Sequence, residues 1–168
     1  MRDPILTPAA SDAAQILAVA SDVGTATHAL IGYLAARFGT PTPEQVLRLG
    51  RAGLYAPNLG VPNRQALRAQ VLSRAALYFR EFARPGWRFV GSEVIAANDV
   101  ALDLLWERHG VLEADEIKTG RLRPVDLERL RLQVESQLEA GIREFGTAFA
   151  AVHAIVLTRP STSFVLRA

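Results

Sequence analysis

Apolar residues recur every three or four positions along the first half of the chain and then crowd into short runs, and this change of pattern predicts helices followed by a sheet. Over residues 11–38, Ala14, Leu17, Ala18, Leu30, Ile31 and Leu34 fall at helical spacing, with Gly24 dividing the stretch into two helical pieces. Residues 39–43 (Gly-Thr-Pro-Thr-Pro) make a turn, and Thr42, Pro43, Glu44 and Gln45 open a short helix running to Leu49. Gly, Pro and Asn over 53–62 read as a loop. Asn63 caps a longer helix over 64–83, whose inward side is Leu67, Val71, Leu72, Ala75, Leu77, Tyr78 and Phe82. Arg64, Arg68 and Arg74 fall on its other faces.

Pro85 and Gly86 stop that helix, and the period changes. Residues 87–95, 100–107 and 111–118 are β-type runs, joined through 96–99 and 108–110 as successive antiparallel hairpins. Pro124 sits where a first helical turn tolerates it. A helix over 125–145 follows, with Leu127, Leu130, Val134, Leu138, Ile142 and Phe145 at helical spacing and Gly146 at its end. The apolar run 151–158 has the composition of a strand buried on both faces, and 163–166 of a last short strand. The expectation is one α/β domain over 1–168 with a mixed sheet: a helical part over about 11–83, then a sheet-containing core over about 84–168.

Composition narrows the chemistry. At 168 residues, 49% hydrophobic and 21% charged, the chain suits a globular domain that buries roughly two-thirds of its unfolded surface. With no cysteine, disulfides, thiolate zinc sites, cysteine-ligated iron–sulfur clusters and cysteine nucleophiles are excluded. The N-terminal stretch is too polar for a signal h-region, and no segment approaches the ~20 apolar residues of a membrane span. A soluble, cytoplasmic protein is expected. The net charge of +2 is no global nucleic-acid signature, but arginines gather between Arg48 and Arg88, where Glu81 is the one acid. That stretch suits either a polyanion or a solvated helix face.

Of the nineteen basic side chains, eighteen are arginines; the exception is Lys118. Lys ends in a compact ammonium and Arg in a wide planar fork, so a position that keeps Lys in such a chain suits a crowded site beside a metal-bound water. Alternation along the strand over 111–118 puts Glu116 and Lys118 on one face and Asp115 and Ile117 on the other. The hairpin near Gly110 brings Asp103, an ionisable residue in an apolar strand, opposite the Glu116 region. Two carboxylates and an ammonium there make either a cross-strand ion pair or a site for a hard divalent ion such as Mg²⁺ or Mn²⁺. His28 alone carries no such signal.

These residues resemble the PD-(D/E)XK nuclease superfamily: Asp103, then Glu116-Ile117-Lys118, within an αβββαβ succession. Gly24-Thr25-Ala26-Thr27-His28 resembles the Gly-x-x-x-His motif of the RecB-like exonucleases. Leu102-Asp103-Leu104-Leu105 resembles their second-strand Asp motif, and Asp115-Glu116-Ile117-Lys118-Thr119-Gly120 their Asp-Tyr-Lys-Thr-Gly segment. Gln137 resembles the glutamine of their Gln-x-x-x-Tyr helix, although Gly141 stands where the Tyr would be, and Val100 stands where a Gly is usual. The resemblance spans roughly residues 24–158.

It implies a restriction-endonuclease-like core with extra N-terminal helices, and a metal-dependent nuclease hydrolysing phosphodiester bonds, most naturally in DNA. His28, Asp103, Glu116 and the Ile117 carbonyl would hold one or two Mg²⁺ or Mn²⁺ ions, with no iron–sulfur cluster. Lys118 would orient the attacking water, and Gln137 would steady the Lys or the water. Arg64, Arg68, Arg74 and Arg121 would receive the nucleic-acid backbone. A helicase or other protein partner fits so small a nuclease, and a membrane does not. The rival expectation is a nuclease-like subunit that binds nucleic acid or a partner protein without cutting.

Overall fold

The computed structural model describes residues 23–53 and 62–168, and the side chains of 49–53 and 62–67 are outside that description. The helical piece expected before Gly24 and most of the loop expected over 53–62 therefore lie outside the described residues, as does the Arg64 side chain. The chain divides into two compact units, Met1–Arg80 and Glu81–Ala168, close to the expected change from helical part to sheet.

In the N-terminal unit, α1 (Val23–Phe38) buries Ala26, Leu30, Ile31, Leu34 and Ala35 at the expected spacing. It ends where Gly39 takes a φ of 67° and donates its N–H to the Ala35 carbonyl at 2.8 Å, a left-handed cap that costs glycine nothing. α2 (Pro43–Gly53) opens on a reciprocal box: the Thr42 N–H donates to Gln45 Oε1 at 2.8 Å, and the Gln45 N–H donates to Thr42 Oγ1 at 3.2 Å. The Thr-Pro-Glu-Gln signal is thus read correctly, although the helix runs past Leu49.

α3 (Pro62–Glu81) ends two residues earlier than expected. Pro85 disfavours helical backbone at Arg84, so the chain must leave the helix before it. Phe79, not Leu77, is buried beside Tyr78, and their rings meet edge to face with centroids 5.1 Å apart.

The C-terminal unit is a five-stranded mixed sheet in the order β1-β2-β3-β4-β5, formed by β1 (Arg88–Ala96), β2 (Val100–Arg108), β3 (Val111–Lys118), β4 (Phe149–Val156) and β5 (Phe164–Arg167). The first three pair antiparallel, β4 lies parallel to β3, and β5 returns antiparallel to β4. Between Arg108 and Val111, His109 and Gly110 have φ of 53° and 81°, the two left-handed residues that a tight hairpin turn requires. The Gly110 N–H donates to Glu107 Oε1 at 2.8 Å. That bond, followed by the Arg88 guanidinium, holds the Glu107 carboxyl below its ordinary value.

A parallel neighbour needs a crossover, which α4 (Pro124–Phe145) supplies, burying Leu130, Val134, Gln137, Ala140 and Gly141. Helical spacing alone places Ile142 inward. Instead Gly141 faces the sheet, because a Cβ there would lie 2.3 Å from the Phe149 ring, and Ile142 turns 39% exposed. Behind this helix, Leu105, Ala114, Leu130, Val134, Val152 and Ala154 form part of one buried apolar cluster.

Candidate functional site

Register decides which side chains meet. Leu105 pairs with Ala114, Ala114 with Val152, and Glu116 with Ala154, so Ala114, Glu116 and Lys118 stand on the face that α4 covers. The β2–β3 ladder ends at Leu104 and Asp115. Beyond it the Ile117 N–H, with no strand partner in that ladder, donates to Asp103 Oδ2 at 2.7 Å. Asp103 is thereby bound to the β3 backbone between Glu116 and Ile117, in the region the hairpin places opposite it.

Glu116 is 2% exposed, and three donors converge on it. Lys118 Nζ lies 2.5 Å from Oε1, Gln133 Nε2 donates to Oε1 at 2.9 Å, and Gln137 Nε2 donates to Oε2 at 2.6 Å. A carboxylate in so dry a position requires such partners. Each oxygen has two lone-pair directions, so Oε2 retains one for a further cation. Gln137 Nε2 also donates to the Ala101 carbonyl at 2.9 Å, which fixes the amide, while its Oε1 is buried with no hydrogen-bond partner among the described residues. The glutamine therefore steadies the carboxylate and the end of β2 directly.

Gln133 escaped the sequence reading. It lies one helical turn before Gln137, and that i, i+4 relation to a residue already singled out was the signal.

A further carboxylate borders the site from β1. Glu93 falls between the pairs Ser92–Leu104 and Val94–Leu102, hence opposite Asp103, and their carboxylate oxygens come within 4.8 Å. Glu93 is exposed and has a φ of 51°, rare for a residue inside a strand. Like charges directly opposite on paired strands repel. A cation between them removes that cost, and oxygen ligands at this separation suit Mg²⁺ or Mn²⁺.

Asp103, Glu116, Ile117, Lys118 and Gln137 thus come together in the C-terminal unit. His28 is half-buried on α1 and belongs to the N-terminal unit, as do Arg68 and Arg74, half-buried on α3. Arg121 is exposed just after β3.

The reverse face of β3 carries a second polar cluster that the sequence reading did not find. Asp115, 1% exposed, accepts from Trp106 Nε1 at 3.0 Å and is paired with the Arg84 guanidinium. Arg84 Nη1 lies 3.3 Å from Glu113 Oε2, an ion pair without hydrogen-bond geometry. His153 Nε2 is 2.7 Å from the same Glu113 oxygen. Burial, then the Arg84 charge, push the His153 pKa below its ordinary value against the pull of the nearby carboxylates.

Among the described residues, no helix is long and apolar enough to cross a membrane. No protein-family model matches the chain, and no curated protein matches its sequence.

Proposed function

We propose that this protein is a divalent-metal-dependent phosphodiesterase of the PD-(D/E)XK type, acting on nucleic acid and most naturally on DNA. The observation that carries the reading is the buried Glu116 carboxylate, 2.5 Å from the chain's one lysine, with Asp103 bonded to the N–H of the next residue along β3. The succession α3-β1-β2-β3-α4-β4, with the candidate residues on β2 and β3, fits the restriction-endonuclease-like core that the resemblance implies.

The donor set fits Mg²⁺ or Mn²⁺. Asp103 and Glu116, with Glu93 opposite Asp103, are hard oxygen ligands, and the Ile117 carbonyl and His28 complete the set by resemblance. The metal, when bound, would acidify a water and neutralise charge on the phosphate oxygens. Lys118, 31% exposed at the side chain, reaches from Glu116 toward solvent and can donate to a phosphate oxygen or orient a water. Gln137 and Gln133 keep Glu116 from rotating, so its orientation is set before a substrate arrives. The unpartnered Gln137 Oε1 can accept from a water at the same site. Arg64, Arg68, Arg74 and Arg121 would bind the phosphodiester backbone, a contribution that weakens with salt.

A second reading, a nuclease-like subunit that binds without cutting, is favoured by the Lys118–Glu116 ion pair, which satisfies both charges with no metal. Calorimetric titration with Mn²⁺ separates the two. The proposal expects saturable binding to the wild type that Asp103→Ala and Glu116→Gln each weaken at least tenfold. Wild-type protein that binds no Mn²⁺ would leave the non-cutting subunit as the better account.

A further inference from the structure

Strand β3 carries a buried carboxylate on each face. Leu112, Ala114, Glu116 and Lys118 face α4, while Glu113, Asp115 and Ile117 face the reverse. A slip of one residue against β2 or β4 would exchange the two sets. In most strands apolar alternation forbids this, because the slip would expose the buried row. Here each row holds one fully buried apolar side chain, Ala114 or Ile117, and one fully buried acid, Glu116 or Asp115. Hydrophobic burial therefore discriminates weakly between the two registers.

Charge discriminates strongly. On the reverse face Arg84, whose side chain is 10% exposed, pairs with both Asp115 and Glu113, two positions apart on the strand. Trp106 donates to Asp115, and His153 closes on Glu113 from β4. In a register slipped by one, Lys118 would come to the Arg84 side and set two cations together. Asp115, one methylene shorter than Glu116, would face Gln133 and Gln137.

We infer that Arg84 sets the register of β3: its fork, engaged with Glu113 and Asp115, commits both to the reverse face and so holds Glu116 and Lys118 on the face that α4 covers. A planar guanidinium can bridge two carboxylates in a fixed geometry, which an ammonium cannot. Fixing register is an attested role of a buried polar group, a single core Asn in a coiled coil being the clearest case. Arg84 stands just before the Pro85-Gly86 turn into β1, so it reaches β3 from outside the β2–β3 hairpin and does not move with it. Arg84 is a positioning residue. Its consequence for chemistry rests on the metal-site reading above, whereas its effect on register does not.

The test is nuclear magnetic resonance of the metal-free protein, followed by Mn²⁺ addition. Wild type gives one set of resonances for residues 112–118, with the Leu105–Ala114 cross-strand contact. Arg84→Met gives a second set, with Leu105 contacts displaced by one residue, at about one-tenth or more of the total intensity. Arg84→Lys, which keeps the charge and loses the fork, gives a weaker second set. A folded Arg84→Met protein with one set and the wild-type contact overturns the inference. If Arg84→Met does not fold, Asp115→Asn decides, since it keeps the side-chain volume and the Trp106 partner: two sets support the inference and one overturns it. Mn²⁺ broadening confined to the unslipped set supports the positioning role, and equal broadening of both sets overturns it. A wild type that shows no Mn²⁺ broadening counts against the metal site alone, while the cross-strand contacts still decide the register.

Discussion

Lys118 Nζ lies 2.5 Å from Glu116 Oε1, two residues away on the same face of β3, with Gln137 bonded to the carboxylate's other oxygen at 2.6 Å. Alternation in a strand makes neighbours of i and i+2, so the sequence Glu-x-Lys alone suffices to build this pair. The glutamines arrive from α4 because the crossover from β3 to a parallel β4 must pass over this face.

Removing the Glu116 charge while keeping its shape is expected to be mild. Glu116→Gln keeps an acceptor oxygen for Gln137, whose amide the Ala101 carbonyl holds in place, and the exposed Gln133 amide can turn to offer its oxygen to the new NH₂, so the loss stays within about 1 kcal/mol. Glu116→Ala strands the buried Gln137 donor and costs about 1–3 kcal/mol. Urea denaturation of the three proteins measures the difference; equal losses for both variants would contradict the arrangement.

Gly141 has no room for a side chain. Its Cβ would sit 2.3 Å from Phe149 Cε1 and 2.5 Å from Cζ, so Gly141→Ala is expected to destabilise by about 1–3 kcal/mol through overpacking. The double variant with Phe149→Leu should recover part of that loss. Thermal unfolding of single and double variants checks this through their non-additivity.

His153 predicts an acid-side loss of stability. Its folded pKa lies below its ordinary value of 6.5, so as pH falls past 6.5 the unfolded chain binds the proton first. The contribution is whole above 6.5 and is lost as pH falls toward the folded value. Glu113, Asp115 and Arg84 face the ring, with Arg167 4.0 Å from Glu113, and their charges act in both proteins when wild type is compared with His153→Gln. Denaturant midpoints at pH 7.5 and 5.5 should fall further for wild type than for the variant; parallel falls would refute the assignment.

Binding to DNA is expected to be salt-sensitive and spread over several arginines. Arg121→Gln and Arg68→Gln should each weaken affinity for a labelled duplex or single strand without regard to its sequence, and should shallow the dependence on salt. Fluorescence anisotropy over a range of NaCl concentrations reads both effects. An unchanged salt slope would remove those side chains from the interface.

Much of this fold was legible because its elements carry their own local signals. The Thr42–Gln45 box, the His109-Gly110 turn and the period of α4 each follow from a few neighbouring residues. The Asp103–Glu116–Lys118 grouping was legible too, since a hairpin and a period of two are enough to place it. Gly141 against Phe149 was not, because the clash joins a helix to the start of the next strand. The Arg84, Trp106, Glu113, Asp115 and His153 cluster was hidden for a similar reason. It is assembled by register across three strands and the turn before them, and no local pattern says which charges will meet.

The most direct test of the account is cleavage of labelled DNA, linear and circular, single- and double-stranded, with Mg²⁺, Mn²⁺ or EDTA. Wild type and Lys118→Ala are run side by side after both are shown to be folded. The account predicts cutting by wild type that needs the metal and falls at least a hundredfold in the variant, roughly the scale of one lost acid–base or orienting group. Metal-independent cutting, equal cutting by both proteins, or intact DNA in every lane would contradict it.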